Sequence, residues 1–154
     1  MSLTIGSPAP NFSLQNTEGK EIALADLYAE QQVVLLFFPL AFSDVCIKEL
    51  CTTRDNMKMY NALGAKVLGI SVDSFFALRA FKKAENLNFT LLSDFNKEVS
   101  QKYGVLDEDY YGMNGVSKRA SFVINKEGDI IHKEILDDSS NLPDFKQIQQ
   151  ALSA

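Results

Sequence analysis

The run Phe37-Phe38-Pro39-Leu40-Ala41-Phe42-Ser43-Asp44-Val45-Cys46-Ile47-Lys48-Glu49-Leu50-Cys51 contains both cysteines of the chain. Cys46 follows an apolar, strand-like run and opens a helix-like pattern. With Ser43 as the N-cap, Cys46 falls at the third helical position, inside the first turn. The N–H groups of that turn have no intrahelical partner and carry the positive end of the helix dipole, so they stabilise an anion beside them. A thiolate is such an anion, and it is the thiolate, not the thiol, that acts as nucleophile. The Ser43 hydroxyl can donate to the sulfur or to an incoming oxygen. Pro39 has a fixed φ and no N–H, so it redirects the chain and shields the pocket from water. A free cysteine is more usually an inert apolar filler; the strand, proline, serine and helix start around Cys46 favour the reactive reading.

Cys51 lies five residues further on. On an ideal helix the two cysteines are separated by about 7.5 Å along the axis and point about 140° apart. Bridged Cα atoms normally lie within about 7 Å, so no disulfide joins them while the helix is intact. Any bond between them requires the first turns to unwind. Cys51 is therefore either a second reactive thiol or a core residue.

The elements that must position these residues are legible as an alternation. Pro8 to Leu14 reads as an opening strand or loop. Asn16 to Lys20 reads as a turn joining Phe12-Ser13-Leu14 to Glu21-Ile22-Ala23 in a hairpin. Val33 to Phe38 is continuously apolar and β-prone, the pattern of a central strand buried on both faces, and Pro39 ends it. Ser43 to Leu63 predicts one long helix closed by Gly64. Val67 to Val72 is a second buried strand, and Asp73-Ser74 can cap a helix over Phe75 to Glu85. Phe89 to Leu92 predicts a third strand, and Asn96 to Tyr103 a short helix stopped by Gly104. Ala120 to Ile124 is a fourth strand, hairpinned through Asn125 to Asp129 with Ile130 to Ile135. Asn141 to Leu152 predicts a terminal helix with Pro143 near its first turn. This order, βαβ then ββα, defines a mixed central sheet flanked by helices, an α/β thioredoxin-like fold with an N-terminal hairpin extension and an insertion over Phe75 to Val105.

The chain has 154 residues with no repeats or linkers, so one domain over residues 1–154 is expected. The net charge of −5 argues against nucleic acid or an anionic membrane as partner. No signal peptide or membrane-length apolar run is present, and two cysteines five positions apart are no secreted disulfide framework, so a reducing cytoplasm is expected. There, a thiol pair points to catalysis or redox chemistry. His132, the one histidine, has no partner at metal-ligand spacing and reads as a surface or half-buried strand residue. Phe75-Phe76 reads as core. Asp107 to Gly115 reads as a solvated loop, or as an apolar wall of the site or a dimer contact through its tyrosines and Met113.

Pro39-x-x-x-Ser43-x-x-Cys46 resembles the peroxiredoxin active-site pattern Pro-x-x-x-Thr/Ser-x-x-Cys. The wider run to Arg54-Asp55, with Gly69-Ile70-Ser71-Val72-Asp73-Ser74, Leu92-Ser93-Asp94, Tyr103-Gly104-Val105 and Lys118-Arg119-Ala120-Ser121-Phe122-Val123-Ile124, is similar to the AhpC/TSA superfamily, and most to its AhpE-like or PrxQ/BCP branches. The resemblance implies a cofactor-free peroxidase that reduces hydrogen peroxide or organic hydroperoxides. Cys46 would be the peroxidatic cysteine, passing through a sulfenic acid. Ser43 would hold the peroxide, Arg119 would hold the thiolate ionised and stabilise the oxygens as the O–O bond breaks, and Glu49 would orient that network. An arginine suits the task because its fork meets two partners and never loses its charge. In PrxQ-like proteins the spacing of Cys46 and Cys51 serves an intramolecular disulfide; the alternative is a one-cysteine enzyme resolved by an external thiol. A thioredoxin-like or other thiol reductant is the implied partner, for a monomer or homodimer. Ser43 for threonine and Ile47 after the cysteine are departures from the commoner pattern. A peroxide sensor or chaperone on the same scaffold, and an unrelated thioredoxin-like binding module, are the competing functions.

Overall fold

The β-branched and aromatic run ahead of Pro39 forms the strand on which the rest of the molecule is built. A computed structural model describes residues 3–154. The strands are β1 (Ser13–Asn16), β2 (Glu21–Ala23), β3 (Gln32–Phe37), β4 (Ala65–Ser71), β5 (Thr90–Ser93), β6 (Leu106–Asp107), β7 (Val116–Ser117), β8 (Ala120–Ile124) and β9 (Ile130–Ile135). The helices are α1 (Leu24–Tyr28), α2 (Asp44–Asp55), α3 (Met57–Ala62), α4 (Phe75–Ala84), α5 (Glu98–Lys102) and α6 (Phe145–Ser153). Seven strands make one mixed sheet in the order β2-β1-β5-β4-β3-β8-β9, and β6 with β7 make a separate small ladder. The parallel pairs are β3 with β4 and β4 with β5; β8 runs antiparallel to β3 and to β9. The expected N-terminal hairpin forms, and β1 also pairs antiparallel with β5, so it extends the main sheet.

The alternation of side chains along β3 divides the core in two. Val34, Leu36 and Phe38 face a layer built from α2, α3, α4 and α6 through Leu50, Tyr60, Phe81 and Ile148. Val33, Leu35 and Phe37 face the other side, where Leu24 of α1, Val99 of α5, Phe12, Tyr103 and Phe122 pack. Both faces being covered explains why β3 carries no polar residue after Gln32. Gly69 of β4 fits this packing because a Cβ there would lie 2.7 Å from Leu91 Cδ2.

Four expectations are corrected. The single helix over Ser43 to Leu63 is two helices, broken at Asn56 (φ −108°, ψ 10°). Asn56 Nδ2 donates to the Thr52 carbonyl at 2.9 Å, so its own N–H turns to Thr53 O at 3.1 Å. An asparagine side chain has thus taken a carbonyl that the helix ladder would use. The terminal helix starts at Phe145, not Asn141, because Asp144 is the N-cap and accepts from Gln147 N at 3.1 Å; Pro143 precedes the cap. His132 is buried, with Nε2 3.4 Å from Ser121 Oγ, and Phe76 is exposed, stacked on Phe75 beneath Arg79. The short α1 and the β6–β7 ladder flanking the Asp107 to Gly115 loop are additions to the expected elements.

Candidate active site

The ladder of β3 is prolonged by one bond, Phe38 N to Ile70 O at 3.0 Å, and stops where buried Pro39 offers no N–H. The loop that follows is tied down from β4. Asp73 Oδ2 accepts from Ala41 N at 2.7 Å and from Ser71 Oγ at 2.6 Å. Phe42 then adopts φ 68°, in the left-handed region that a phenylalanine rarely occupies, with its ring 5.0 Å from that of Phe81. Such backbone costs about 1–3 kcal/mol and persists only where surroundings enforce it.

Ser43 is the N-cap of α2 in backbone terms (φ −77°, ψ 148°), but its side chain caps nothing. Its hydroxyl donates to Leu40 O at 2.9 Å. The first-turn N–H groups of α2 are therefore left without a side-chain acceptor, as an anion-receptive helix start requires. Cys46 sits in that turn, fully buried.

Arg119 immediately precedes β8. Lys118 beside it turns outward to Asp137, and Arg119 turns into the core, where its side chain is 1% exposed. The antiparallel register of β8 on β3, with Ala120 opposite Phe37, brings Arg119 to the end of β3 where the Pro39 loop starts. Nη1 and Nη2 each lie 3.3 Å from Cys46 Sγ. Nη1 also donates to Glu49 Oε1 at 2.6 Å, and Nε donates to Ser139 O at 3.0 Å. Burial alone would weaken the hold of Arg119 on its proton, and the charges of Glu49 and Cys46 reverse this, leaving its pKa raised. Glu49 is fully buried one turn beyond Cys46 on α2, and its Oε2 has no hydrogen-bond partner. Burial pushes the Glu49 carboxyl from 4.5 up to about 7, against the opposing pull of Arg119 and with Glu134 adding to the rise.

Cys51 lies apart from this cluster on the same unbroken helix. It is half-buried, and its thiol donates to Glu85 Oε1 at 3.5 Å. Burial, then the hydrogen bond to Glu85, push its pKa up. Arg54 Nη1 donates to Glu85 O at 2.6 Å, pinning the end of α2 to the end of α4. Both cysteines are free thiols.

Cys46, Arg119 and Glu49 are thus in direct contact, Pro39 and Ser43 shape the loop in front of them, and Cys51 is held elsewhere. The sequence reading missed three groups. Asp73 and Ser74 read together as the cap of α4; Ser74 takes that role, accepting from Ala77 N at 3.2 Å, and Asp73 instead anchors the loop after Pro39. The Ser139 carbonyl lies on an irregular segment with no local signal, and Glu85 looks like any helix-end acid. Among the described residues no three His, Cys, Asp or Glu side chains gather closely enough to hold a metal ion.

A buried thiol gripped by a guanidinium at a helix start, on a thioredoxin-like mixed sheet, is an arrangement suited to a thiol enzyme. The chain matches the AhpC/TSA family over residues 5–133. It is 41% identical over 131 residues to a putative peroxiredoxin bcp of Coxiella burnetii, covering 83% of this chain and 85% of that one. It is 38% identical over 133 residues to peroxiredoxin Bcp of Escherichia coli K12, covering 84% of each. The crystal structure of peroxidoxin BcpB from Mycobacterium tuberculosis superposes with a TM-score of 0.85 at 27% identity, covering 98% of this chain and 95% of that one. The protein belongs to the AhpC/TSA family of peroxiredoxins, and it is a thiol-dependent peroxidase. No helix among the described residues is long and apolar enough to cross a membrane.

Proposed function

We propose that Cys46 is the sulfur that meets the hydroperoxide, in a single thioredoxin-like domain spanning residues 1–154. The observation that carries the reading is the pair of guanidinium N–H groups, each 3.3 Å from Sγ, inside a cluster closed to solvent. Two charged donors on one sulfur favour the thiolate and remain in place for charge that develops on adjacent oxygens. The thiolate attacks the terminal peroxide oxygen, the O–O bond breaks, and water or an alcohol departs. Sulfur is oxidised to a sulfenic acid and the peroxide is reduced. The Ser43 hydroxyl, released from Leu40 O, and the free first-turn N–H groups hold the peroxide. Pro39 excludes water, and Glu49 sets the orientation of Arg119.

Cys51 then attacks the Cys46 sulfenic acid, forming the disulfide and expelling water, once the first turns of α2 unwind. A thioredoxin-like or other thiol protein returns both cysteines to thiols. A reducing cytoplasm is the compartment that suits such a cycle. The test is mass spectrometry after one equivalent of peroxide. A Cys46–Cys51 disulfide is expected in the wild type, a Cys46 sulfenic acid in Cys51→Ala, and no peroxide consumption by Cys46→Ser. Cys51 remaining alkylatable in every wild-type monomer would assign resolution to an external thiol; wild-type turnover by Cys46→Ser would overturn the assignment of Cys46.

A further inference from the structure

The buried cluster contains two acids and one base. Arg119 Nη1 is shared between Cys46 Sγ and Glu49 Oε1, and Glu49 Oε2 faces no donor. The remaining guanidinium contact is to the neutral Ser139 carbonyl. Two anions on one cation would leave a net charge in a site with no exposed surface, at a cost of several kcal/mol. The other groups acting on the Glu49 carboxyl make no second cation. Glu134 on β9 adds negative charge, and Tyr60 on α3 is held as a phenol, its pKa pushed up to about 12 by burial and by Glu49. His132, on β9 near Glu134, is kept neutral by burial.

One of the two acids must therefore hold a proton, and their positions decide which. Cys46 lies in the first turn of α2, within reach of the dipole, whereas Glu49 lies beyond it; the dipole's effect fades after that turn. Cys46 also receives two guanidinium donors where Glu49 receives one. A carboxyl pushed up to about 7 agrees with this order.

We infer that Glu49 is a carboxylic acid while Cys46 is a thiolate, and that it gives up its proton when Cys46 is oxidised. The inference rests on Cys46 being the sulfur that meets peroxide. The step balances. Thiolate, hydrogen peroxide and protonated Glu49 become sulfenic acid, water and the Glu49 carboxylate. The S–O bond forms, the O–O bond breaks, and the departing hydroxide takes up a proton equal to the one Glu49 releases. Before the reaction Arg119 serves the sulfur; afterwards, with the sulfur neutral, it serves Glu49 alone. Glu49 is on this view a positioning residue that acts through Arg119, passing that guanidinium from one partner to the other.

The test is infrared difference spectroscopy of the reduced protein before and after one equivalent of hydrogen peroxide at about pH 6, where a carboxyl titrating near 7 is mostly protonated. Cys46 oxidation is counted in the same samples by mass spectrometry. The wild type should lose one protonated-carboxyl band and gain one carboxylate signal per Cys46 oxidised, and Glu49→Gln should show neither change. Should that variant not fold, heavy-carbon labelling of glutamate in the wild type must shift the lost band. A wild-type spectrum with no lost carboxyl band, a loss that Glu49→Gln reproduces, or a lost band that the label does not shift overturns the proposal. Recovery of Cys46 as the free thiol, neither sulfenic acid nor disulfide, overturns the assignment of Cys46 and this proposal with it, and the mass spectra separate that case from the others.

Discussion

Replacing Glu49 by glutamine sets two physical effects against each other, and their sizes decide the outcome. The native carboxyl rises from 4.5 to about 7 on folding, chiefly through burial. The folded protein thus binds this proton more tightly than the unfolded chain, and the associated stability is fully present below 4.5 and lost as pH rises through about 7. At about 1.4 kcal/mol per decade of proton affinity, the loss amounts to about 3 kcal/mol by about pH 8. Glutamine has the same shape, keeps a hydrogen bond to Arg119 and does not titrate. Glu49→Gln should therefore match the wild type near pH 4.5 and exceed it by about 3 kcal/mol near pH 8, in each case as an order of magnitude. The opposing effect is that breaking a buried ion pair costs about 3–5 kcal/mol when a charge is left uncompensated. Arg119 is not left uncompensated, because both of its terminal nitrogens still face the Cys46 sulfur. The assay is urea unfolding across pH with a reductant present to keep both cysteines as thiols. A variant less stable than the wild type at about pH 8, by the 3–5 kcal/mol of a broken pair, would refute the reasoning and make Glu49 an ionised partner of Arg119.

Three further outcomes follow from the same contacts. Arg119→Lys places one point charge where a fork meets Cys46, Glu49 and the Ser139 carbonyl, so the second-order rate with peroxide should fall about a hundred-fold or more in stopped-flow assays; an unchanged rate would remove Arg119 from the chemistry. Burial and the Glu85 hydrogen bond both hold the Cys51 thiol protonated, so Glu85→Gln should speed Cys51 alkylation at about pH 8, followed by mass spectrometry; equal rates would deny the contact. Asp73→Ala orphans the Ala41 N–H and the Ser71 hydroxyl, so it should cost about 1–3 kcal/mol in urea unfolding and slow peroxide reduction; a fully active, fully stable variant would show that the loop needs no anchor.

The sheet was legible because its signals are local. The apolar run of β3, the βαβ spacing and the Asn125 to Asp129 turn each carry their own chemistry, and β3 did prove covered on both faces. Cys46 was legible for the same reason, since a strand end, a proline and a helix start adjoin it. Arg119 lies 73 residues away, and only the register of β8 on β3 brings it to the sulfur. Physical reading of the sequence alone gave no distance between them; the family resemblance supplied that link. The break at Asn56 was hidden because helix periodicity continues through it, and what differs is one side-chain bond to the Thr52 carbonyl. The start of α6 was misread because Asn141 and Asp144 are both good caps, and the choice fell to the one whose carboxylate reaches Gln147 N. The Ser139 carbonyl is a backbone group, which no side-chain pattern marks.

The break at Asn56 also decides how far a disturbance of the active site can spread. Had Ser43 to Leu63 been one rod, loosening its start would have competed with the docking of everything down to Gly64. Instead the chain is partitioned. α3 is held by buried Met57 and Tyr60, and the end of α2 is clamped through Arg54 to the Glu85 carbonyl. Opening for the proposed resolution would then be a sub-global event confined to the turns between Ser43 and Cys51. In amide hydrogen exchange, those turns would lose protection on oxidation while Thr53 to Tyr60 kept it. The barrier to resolution would be set by a few local hydrogen bonds and the strained backbone at Phe42, not by the stability of the domain.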